Sequence, residues 1–379
     1  MSGKIFPVSM PKWGMTMEEG KVTDWLISEG EVISEGDEIV EIETDKISNV
    51  VESQTSGILV RHLVVEGSTY KVGSLIGVII DGDVEEDEID NFIRKFQSEE
   101  KIKTDTEETT NKTQKIQVGN LELNFLEVFC EKPEEETILF VHGFGGDLNS
   151  WSYNQVELST HFNTISLDLP GHGGSALEVD SGNVSDLSEI LISFFEKKEI
   201  NQAHLVGHSL GGAISLLMAY RMPEIFKTLT LICPVLPGCE TNTEFLEGFI
   251  YADSRKQMRN VVSELYANPK VVNRNFIDET LKSRRFDGAK QALSKIKEAN
   301  FLPSGEVSFQ LPSLEAIKAP IQIIQGSEDK IIKFSGNDLL SSNIKIHELN
   351  ASGHMPQMEE HNQVNKIIEA LINSARGSI

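Results

Sequence analysis

The stretch that most constrains the fold is the Gly-x-Ser-x-Gly motif at residues 207–211. The mostly apolar residues 203–206 before it predict a short buried strand, and residues 210–220, which end shortly before Pro223, predict a helix. A sharp turn between a strand and a helix pushes the serine hydroxyl away from the backbone, and the flanking glycines let neighbouring segments approach closely. Ser209 is therefore the candidate nucleophile of an alternating α/β domain.

From about residue 116 to residue 379, strand-like runs alternate with helix-like runs. This alternation predicts a parallel sheet covered by helices, in which the loops after the carboxyl ends of the strands carry the functional site. The strands are expected at residues 137–141, 164–167, 203–206, 228–232, 321–324 and 345–348.

A glycine-rich loop, residues 142–146, follows the first of these strands. Such a loop can direct backbone N–H groups at a developing oxyanion. The candidate donors are the N–H groups of Phe144 and of Leu210, which follows Ser209 directly. No Lys-Ser/Thr pair follows the loop, and this excludes a phosphate-binding P-loop.

Two later loops supply an acid and a base. Asp329 follows the strand predicted at residues 321–324, and His354 follows the strand predicted at residues 345–348. Acyl transfer by a serine needs a histidine to take the hydroxyl proton and a carboxylate to orient that histidine. Ser209, Asp329 and His354 are therefore the candidate nucleophile, acid and base.

Two residues are alternatives to this assignment, and a third, His208, lies beside the nucleophile. Glu328 could replace Asp329 as the acid. His172 could act as the base, but we interpret its glycine-rich turn as structural, and a helix expected to begin near residue 358 or 360 gives His354 the better setting. His208 is expected to position the turn around the serine or to pack nearby.

The chain order of nucleophile, acid and base, together with the glycine-rich loop, resembles the α/β-hydrolase fold over residues 137–375. Residues 233–312 are longer than one crossover requires, and they are predicted to be mostly helical, for example at residues 243–268 and 278–300. We interpret residues 233–312 as a lid inserted between the sixth and seventh strands, which would shape the substrate pocket and exclude water.

The first 84 residues differ in character, with short alternating strands, glycine turns and an internal repeat. Residues 20–30 align with residues 57–67, and the same register pairs Gly36 with Gly73. Two similar halves predict a two-fold all-β sandwich, because neither half can bury its apolar face alone.

The two halves differ at one turn, where the first half carries Lys46 between Asp45 and Ile47. The segment 10–20 and the turn around Lys46 resemble lipoyl domains of 2-oxo-acid dehydrogenase complexes. The resemblance implies that Lys46 carries lipoate in amide linkage, as a swinging arm for acyl thioesters. A biotinyl domain is the alternative, but it typically has methionine on both sides of the lysine.

Residues 85–115 are expected to form an acidic linker between the two domains. Ile89, Phe92 and Phe96 have helical spacing, so one short amphipathic helix is predicted there, packed on its own domain or docked on a partner. Residues 97–115 have almost no apolar side chains and cannot order themselves. About 18 flexible residues would give a typical end-to-end distance of roughly 20–25 Å.

Charge and cysteine content exclude several classes of function. The formal net charge of −25 argues against binding to nucleic acid or to an anionic membrane. The cysteines, Cys130, Cys233 and Cys239, offer neither a disulfide framework nor a metal-ligand spacing, so we expect a cytoplasmic protein without a metal. The absence of an apolar run of about 18 residues predicts that no segment spans a membrane.

The combination of a lipoyl-type domain with an α/β-hydrolase-type domain resembles the dihydrolipoyllysine acetyltransferase components of acetoin dehydrogenase complexes. The resemblance implies acetyl transfer from S-acetyl-dihydrolipoyl-Lys46 to coenzyme A. It also implies two partners, a thiamine-diphosphate-dependent acetoin-cleaving component and a lipoamide dehydrogenase. A lipoyl-tethered serine (thio)esterase or hydrolase and a scaffold subunit without chemistry of its own are the alternatives. The oligomeric state is left open.

No phosphate-binding motif marks a site for coenzyme A. Basic residues of the predicted lid are candidates for it, although ordinary solvated positions suit most of them better: Arg255, Lys256, Arg259, Arg284 and Arg285.

Overall fold

The computed structural model describes residues 3–11, 19–43, 48–82, 84–94, 96, 112–130, 136–333 and 344–377. The chain divides into two compact units, Met1–Thr109 and Thr110–Ile379. The predicted linker spans this division, and most of it lies outside the described residues, as does Lys46.

The first unit consists of two four-stranded antiparallel sheets, with strand orders β1-β8-β6-β3 and β5-β4-β2-β7. The strands are β1 (Lys4–Ser9), β2 (Glu19–Trp25), β3 (Val32–Ile33), β4 (Glu38–Glu43), β5 (Ser48–Glu52), β6 (Gly57–His62), β7 (Thr69–Lys71) and β8 (Leu75–Asp81).

The predicted internal repeat is confirmed by this topology. Strands β2, β3 and β4 occupy in their sheets the places that β6, β7 and β8 occupy in theirs, so the two sheets exchange under a two-fold operation. The turn glycines repeat as well, because Gly36 and Gly73 have φ values of 92° and 87°, which favour glycine. Equivalent positions of the two halves meet in one core: Val22 and Leu59, Ile39 and Ile76, Ile42 and Ile79.

A helix, α1 (residues 86–94), follows the sandwich at the predicted position. Ile89 is buried in a small cluster with Leu75, Val78 and Ile80, against which Ile93 and Phe96 also pack. The amphipathic helix therefore packs on its own domain, which was one of its two predicted roles.

The second unit is built on an eight-stranded sheet of order β18-β16-β14-β13-β11-β12-β10-β9. Six of its strands are parallel, while β9 and β10 add an antiparallel edge. The strands are β9 (Gln114–Val118), β10 (Leu121–Val128), β11 (Thr137–Val141), β12 (Asn163–Leu167), β13 (Ala203–His208), β14 (Phe226–Ile232), β16 (Ile321–Gly326) and β18 (Lys345–Leu349), and a separate pair is formed by β15 (Glu240–Thr241) and β17 (Ile332–Lys333).

Helices cover both faces of this sheet. Along β11, Leu139 and Val141 belong to one apolar cluster, and Ile138 and Phe140 belong to the other. A strand buried on both faces reads as a continuous apolar run, which is why periodicity alone could not assign its faces. No described helix is long and apolar enough to cross a membrane. The helices are α2 (Ser152–Leu158), α3 (Val184–Lys197), α4 (Leu210–Arg221), α5 (Thr243–Tyr251), α6 (Arg255–Ser263), α7 (Arg274–Ser283), α8 (Ala289–Asn300), α9 (Pro356–Glu359) and α10 (His361–Arg376).

The segment interpreted as a lid lies between β14 and β16, which are the sixth and seventh strands of the large sheet in chain order. The predicted helical stretch 243–268 is interrupted, because Ser254 caps the start of α6 in a capping box with Gln257. The stretch 278–300 is also interrupted, since Gly288 has a left-handed φ of 94° immediately before α8. The lid therefore has four short helices where the sequence indicated two long ones.

Candidate active site

Ser209 sits in a strained turn between β13 and α4, with φ 53° and ψ −120°. A positive φ is uncommon for a residue other than glycine, and such a strained conformation persists only where the surrounding structure holds it in place. The neighbouring glycines permit it: a Cβ on Gly211 would lie 2.3 Å from the carbonyl oxygen of Val141, and one on Gly207 would lie 2.5 Å from that of Gly211. The turn predicted from the motif has the expected shape.

The carboxylate of Asp329 lies beyond the carboxyl end of β16 and accepts four hydrogen bonds. Its Oδ1 accepts from the backbone N–H groups of Ile331 and Ile332 at 2.8 and 3.0 Å. Its Oδ2 accepts from Gln325 Nε2 at 3.1 Å and faces His354 Nδ1 at 2.8 Å. Burial by itself would raise the pKa of the Asp329 carboxyl, but His354 and the N–H donors outweigh it and lower that pKa.

His354 lies in the loop after β18, and His208 ties this loop to the nucleophile turn. His208 Nε2 is 2.7 Å from the carbonyl oxygen of His354, so this nitrogen carries a proton and donates. The two imidazole rings are 4.7 Å apart at their centroids. Burial, with the neighbouring His354, lowers the pKa of His208 to about 3. His208 is therefore a neutral link between Ser209 and the candidate base.

The structure thus brings the three predicted residues to one edge of the sheet. Ser209 and His354 are 6 % and 2 % exposed, and the side chain of Asp329 is 2 % exposed. The Ser209 hydroxyl makes no hydrogen bond to another described residue, whereas the His354–Asp329 pair is formed. Catalytic hydrogen bonds to a nucleophile are often long without substrate and tighten when it binds.

The candidate oxyanion loop, residues 142–146, is held in place by two buried histidines, one of which belongs to the loop. His142 Nε2 accepts from the Leu169 N–H at 2.9 Å, so its Nδ1 donates to the Gly143 carbonyl at 2.7 Å. Burial lowers the pKa of His142 to about 4. The predicted donors remain available, because neither the Phe144 N–H nor the Leu210 N–H is hydrogen-bonded to another described residue.

His172 is the second of these histidines, and its geometry argues against the alternative role as base. Its Nε2 accepts from the Gly145 N–H at 3.0 Å and its Nδ1 faces the Pro170 carbonyl at 3.1 Å. Burial, with the neighbouring His142, lowers its pKa to about 3. Both ring nitrogens are engaged by the backbone, so His172 shapes the loop, in agreement with the structural interpretation of its turn.

Asp168, at the end of β12, anchors the same region and was not singled out from the sequence. Its carboxylate accepts from the backbone N–H groups of Leu148 and Gly174 and from Asn124 Nδ2, each at 2.7 Å. A Cβ on Gly173 would lie 2.2 Å from this carboxylate. The glycines of this turn would have been the sequence signal for such a buried carboxylate, because they leave room for it.

Cys233 is a further neighbour of the site that the sequence did not reveal. It has a φ of 41°, it is fully buried, and burial together with the Asp329 charge raises the pKa of its thiol. Its Sγ, the Asp329 carboxylate and a ring nitrogen of His354 lie within 4.8 Å of one another, a set whose atom types could ligate a metal. His354 and Asp329 are hydrogen-bonded directly to each other at 2.8 Å, which is the arrangement of a candidate acid–base pair.

The lid contacts the oxyanion loop through one aromatic side chain of α5. The Phe249 ring lies 6.2 Å from the Phe144 ring, in an edge-to-face arrangement. It also fills the space over Gly145, since a Cβ there would lie 2.4 Å from a Phe249 ring carbon. The lid therefore covers the loop that carries one of the candidate oxyanion donors.

Of the basic lid residues proposed from the sequence for coenzyme A, three bond to other residues of the lid and two are exposed without such bonds to a described residue. Arg255 pairs with Asp278, and Arg259 donates to the Val272 carbonyl at 2.8 Å. Arg284 is only 4 % exposed, which departs from the solvated position expected for a lid arginine. The side chains of Lys256 and Arg285 are exposed and make no hydrogen bond or ion pair with other described residues.

Comparisons with known proteins agree with both units. A family model described as alpha/beta hydrolase fold matches residues 136–361, and one described as biotin-requiring enzyme matches residues 7–79. Among solved structures, the 2-hydroxy-6-oxo-6-phenylhexa-2,4-dienoate hydrolase of Rhodococcus sp. strain RHA1 is similar with a TM-score of 0.62 at 18% identity, over 69% of this chain and 99% of that one. At that identity the likeness supports the fold alone.

Two relatives match both units at once. The dihydrolipoyllysine-residue acetyltransferase component of the acetoin cleaving system of Pseudomonas putida is 36% identical over 97% of this chain and 99% of its own length. The component with the same name from Cupriavidus necator is 31% identical over 97% of this chain and 98% of its own length. The chain belongs to the family of dihydrolipoyllysine-residue acetyltransferase components of acetoin cleaving systems, with a lipoyl-type domain joined to an α/β-hydrolase-fold domain.

Proposed function

We propose that the chain moves an acetyl group from S-acetyl-dihydrolipoyl-Lys46 to coenzyme A through an acetyl ester of Ser209. The observation that carries this proposal is the arrangement at the sheet edge: a serine in a strained turn, beside a buried histidine that an aspartate orients at 2.8 Å. The fold by itself names no substrate, and the attached lipoyl-type domain is what narrows the choice to an acyl thioester.

The first half-reaction transfers the acetyl group to the serine. His354 takes the proton of the Ser209 hydroxyl, and the oxygen attacks the thioester carbonyl while the Phe144 and Leu210 N–H groups stabilise the oxyanion. The carbon–sulfur bond breaks, and His354 returns the proton to the departing dihydrolipoyl sulfur. Asp329 holds the imidazole in the tautomer that this step needs and stabilises the imidazolium.

The second half-reaction uses the same groups in the opposite order. The coenzyme A thiol gives its proton to His354 and attacks the serine ester, the carbon–oxygen bond breaks, and the proton returns to Ser209. Neither half-reaction changes an oxidation state. Ser209 and His354 are 6 % and 2 % exposed, and this shielding from bulk water favours transfer to a bound thiol over hydrolysis.

The lipoyl arm and the partners complete the proposal. Lys46 lies in the segment that connects β4 and β5, which pair antiparallel with Glu43 opposite Ser48, and that segment lies outside the described residues. We infer from the family resemblance that Lys46 carries the lipoate. A thiamine-diphosphate-dependent acetoin-cleaving component would supply the acetyl group, and a lipoamide dehydrogenase would reoxidise the arm.

The test uses the lipoylated full-length chain, acetylated on its arm, and follows acetyl-CoA and free acetate with and without coenzyme A. Wild type should form acetyl-CoA, and Ser209→Ala should reduce its rate by a factor on the order of 10⁴ or more. Lys46→Arg is the control for the arm: it should fail as a self-acetylated donor but should still transfer acetyl groups from free S-acetyl-dihydrolipoamide.

Each other outcome identifies a different function. Acetate released at the same rate with or without coenzyme A would make the chain a hydrolase. Acetyl-CoA formation that survives Ser209→Ala unchanged would rule out the serine ester, and no turnover of any acetyl donor would leave only a scaffold role.

A further inference from the structure

A cavity of about 320 Å³ lies in the lid, bounded by the end of α5, the turn between α7 and α8, and the first residues of α8. Three of the side chains that line it are cationic, Arg284, Arg285 and Lys290, against two acidic ones, Asp253 and Asp287. In a chain with a net charge of −25, a cavity with more cations than anions is a notable local exception. Such a cavity attracts an anionic ligand.

The cations of this cavity are not equally engaged. Lys290 Nζ pairs with Asp253 at 2.5 Å. The Arg285 side chain is exposed and makes no hydrogen bond or close ion pair with a described residue, and only the more distant Asp253 charge acts on it. Among the basic lid residues considered from the sequence, Arg285 is therefore the one that both lines a cavity and has a guanidinium available for a ligand.

The floor of the cavity contains an arginine whose donors are incompletely used. Arg284 is 4 % exposed, and its terminal nitrogens donate to the carbonyls of Phe249, Ile250 and Ala252 at the end of α5. Its Nε is buried and has no partner in the described part of the chain. This side chain adds a buried positive charge to the lining of the cavity.

The residues at the start of α8 line the same cavity. The helix is preceded by Gly288, which has no side chain to cap it, and the N–H groups of Lys290 and Gln291 bond to no other described residue. Uncapped N–H groups at the start of a helix favour phosphate oxygens. Together with the Arg285 guanidinium, they suit a phosphorylated ligand.

The rim of the cavity carries an aromatic ring. Phe286 follows Arg285 and is 56 % exposed. An exposed aromatic face beside phosphate-binding groups suits a nucleobase, which can stack on it. Another cavity of this region, of about 490 Å³, differs in charge, because Glu240 and Glu306 line it, and an anionic nucleotide would be disfavoured there.

A series of side-chain contacts connects the cavity to the loop of Phe144. The Arg284 guanidinium lies over the Phe249 ring at 5.1 Å from its centroid, and Phe249 in turn packs on Phe144 of the oxyanion loop at 6.2 Å. A ligand bound there could react at Ser209 only if its reactive group sat at the end of a long arm. Coenzyme A has this form, with a phosphorylated adenosine at one end and a thiol at the other.

We propose that this lid cavity binds the phosphoadenosine end of coenzyme A, with Arg285 and the start of α8 holding a phosphate and Phe286 stacking on the adenine. The inference rests on the proposed function, because only that function makes coenzyme A a substrate. It adds the binding site that no sequence motif indicated.

The binding test measures the affinity for coenzyme A by calorimetry, in full-length Ser209→Ala so that no chemistry interferes. Adding Arg285→Ala should weaken binding about tenfold or more, as expected when a charged hydrogen-bond donor is lost, and adding Phe286→Ala should weaken it as well. Lys256→Ala, an exposed lid cation outside the cavity, is the matched control and should leave the affinity unchanged.

A kinetic test in the Ser209-containing chain identifies which part of the ligand is bound. Pantetheine carries the same thiol arm without the nucleotide. Arg285→Ala should lower the preference in kcat/KM for coenzyme A over pantetheine about tenfold. Unchanged affinity in both cavity variants, or an equal loss for coenzyme A and pantetheine, would overturn the site. Failure of the proposed function is seen separately, as absence of transfer in wild type, and the binding test judges the site in that case too.

Discussion

The two sides of Ser209 use buried polar groups in opposite ways. On the side of the candidate oxyanion loop, residues 142–146, His142 and His172 are neutral. Both ring nitrogens of each histidine contact backbone groups. On the acid–base side, His354 has one nitrogen bound to a carboxylate and keeps the other without a partner among the described residues. The difference teaches that burial alone does not identify a base: a histidine can take a proton from a substrate only where one nitrogen is left unbonded and a charge stabilises the protonated ring.

The sharpest way to break this contrast is Asp329→Asn. The two backbone N–H groups of Ile331 and Ile332 would retain the amide oxygen, so the amide NH₂ would face His354 and force its Nδ1 to accept. The imidazole would then have the wrong tautomer for taking the Ser209 proton. We expect kcat for acetyl transfer to fall roughly 10³- to 10⁴-fold while the fold is retained.

The adjacent carboxylate provides the matched control. Glu328 was the alternative acid, and its side chain is exposed to solvent. Glu328→Gln should leave kcat within about twofold of wild type, because an exposed charge without a fixed partner contributes little. If Glu328→Gln were the more damaging change in a side-by-side acetyl-CoA assay, the acid would have to be reassigned.

The oxyanion side should be disturbed most by Gly145→Ala. Gly145 has a φ of 72°, and a Cβ there would collide with the Phe249 ring at 2.4 Å, so the loop and the lid must move apart. Displacing one oxyanion donor costs about 10²-fold in kcat. Steady-state kinetics with S-acetyl-dihydrolipoamide measure this loss.

Gly146→Ala is the control for that substitution. Its φ is not in the left-handed region, and its Cβ would approach its neighbours at 3.3 Å, which small shifts relieve. We expect less than a tenfold loss of kcat for it, because shifts of a few tenths of an ångström accommodate the methyl group. Equal losses for the two alanine variants would show that the Phe249 contact does not hold the loop.

The residues that meet at the ends of strands could be predicted from the sequence. Ser209, Asp329 and His354 were predictable because each follows a strand, and the carboxyl ends of parallel strands meet at one edge of the sheet. The repeat in the first unit was predictable for a similar reason, since equivalent positions such as Val22 and Leu59 enter one core. Local patterns were sufficient wherever topology alone decides which residues meet.

Contacts that depend on packing between distant segments were not predictable. Nothing in the sequence around Phe249 indicates that its ring lies on Gly145, and nothing around Asp168 indicates that Asn124 donates to it. The predicted helical stretches of the lid are interrupted for a related reason. Ser254 caps the start of α6 and the left-handed Gly288 precedes α8, whereas the apolar periodicity of the sequence continues across both positions. The buried arginine of the lid, Arg284, is indistinguishable in sequence from a solvated cation.

A smaller effect separates the two kinds of histidine by pH. Because burial keeps the pKa of His172 at about 3 in the folded chain, against about 6.5 when unfolded, the unfolded chain binds a proton below pH 6.5 that the folded chain does not. Its contribution therefore destabilises the fold as pH falls below 6.5, by about 1.4 kcal/mol per pH unit. His172→Gln retains the hydrogen-bonding pattern but cannot titrate.

The measurement compares the free energy of unfolding in urea at pH 7 and pH 5. Wild type should lose about 2 kcal/mol more than His172→Gln over this range. Asp147 shifts in the opposite sense, since burial, with the neighbouring Asp168, raises its pKa to about 6, but it is present in both proteins and cancels in the difference. An identical pH dependence in the two proteins would mean that His172 is solvated or already charged.

The smallest effect is expected for the thiol beside the acid. Cys233 lies within 4.8 Å of the Asp329 carboxylate and His354, yet that carboxylate already has four donors and gains little from a weak thiol donor. Cys233→Ala should therefore change kcat by less than about threefold, with a loss of stability of roughly 1 kcal/mol for the small cavity. Cys239→Ala, also buried but outside this group, is the matched control. A loss of kcat near that of Asp329→Asn, absent from the Cys239 variant, would make the thiol part of the acid–base side, which would then depend on three groups.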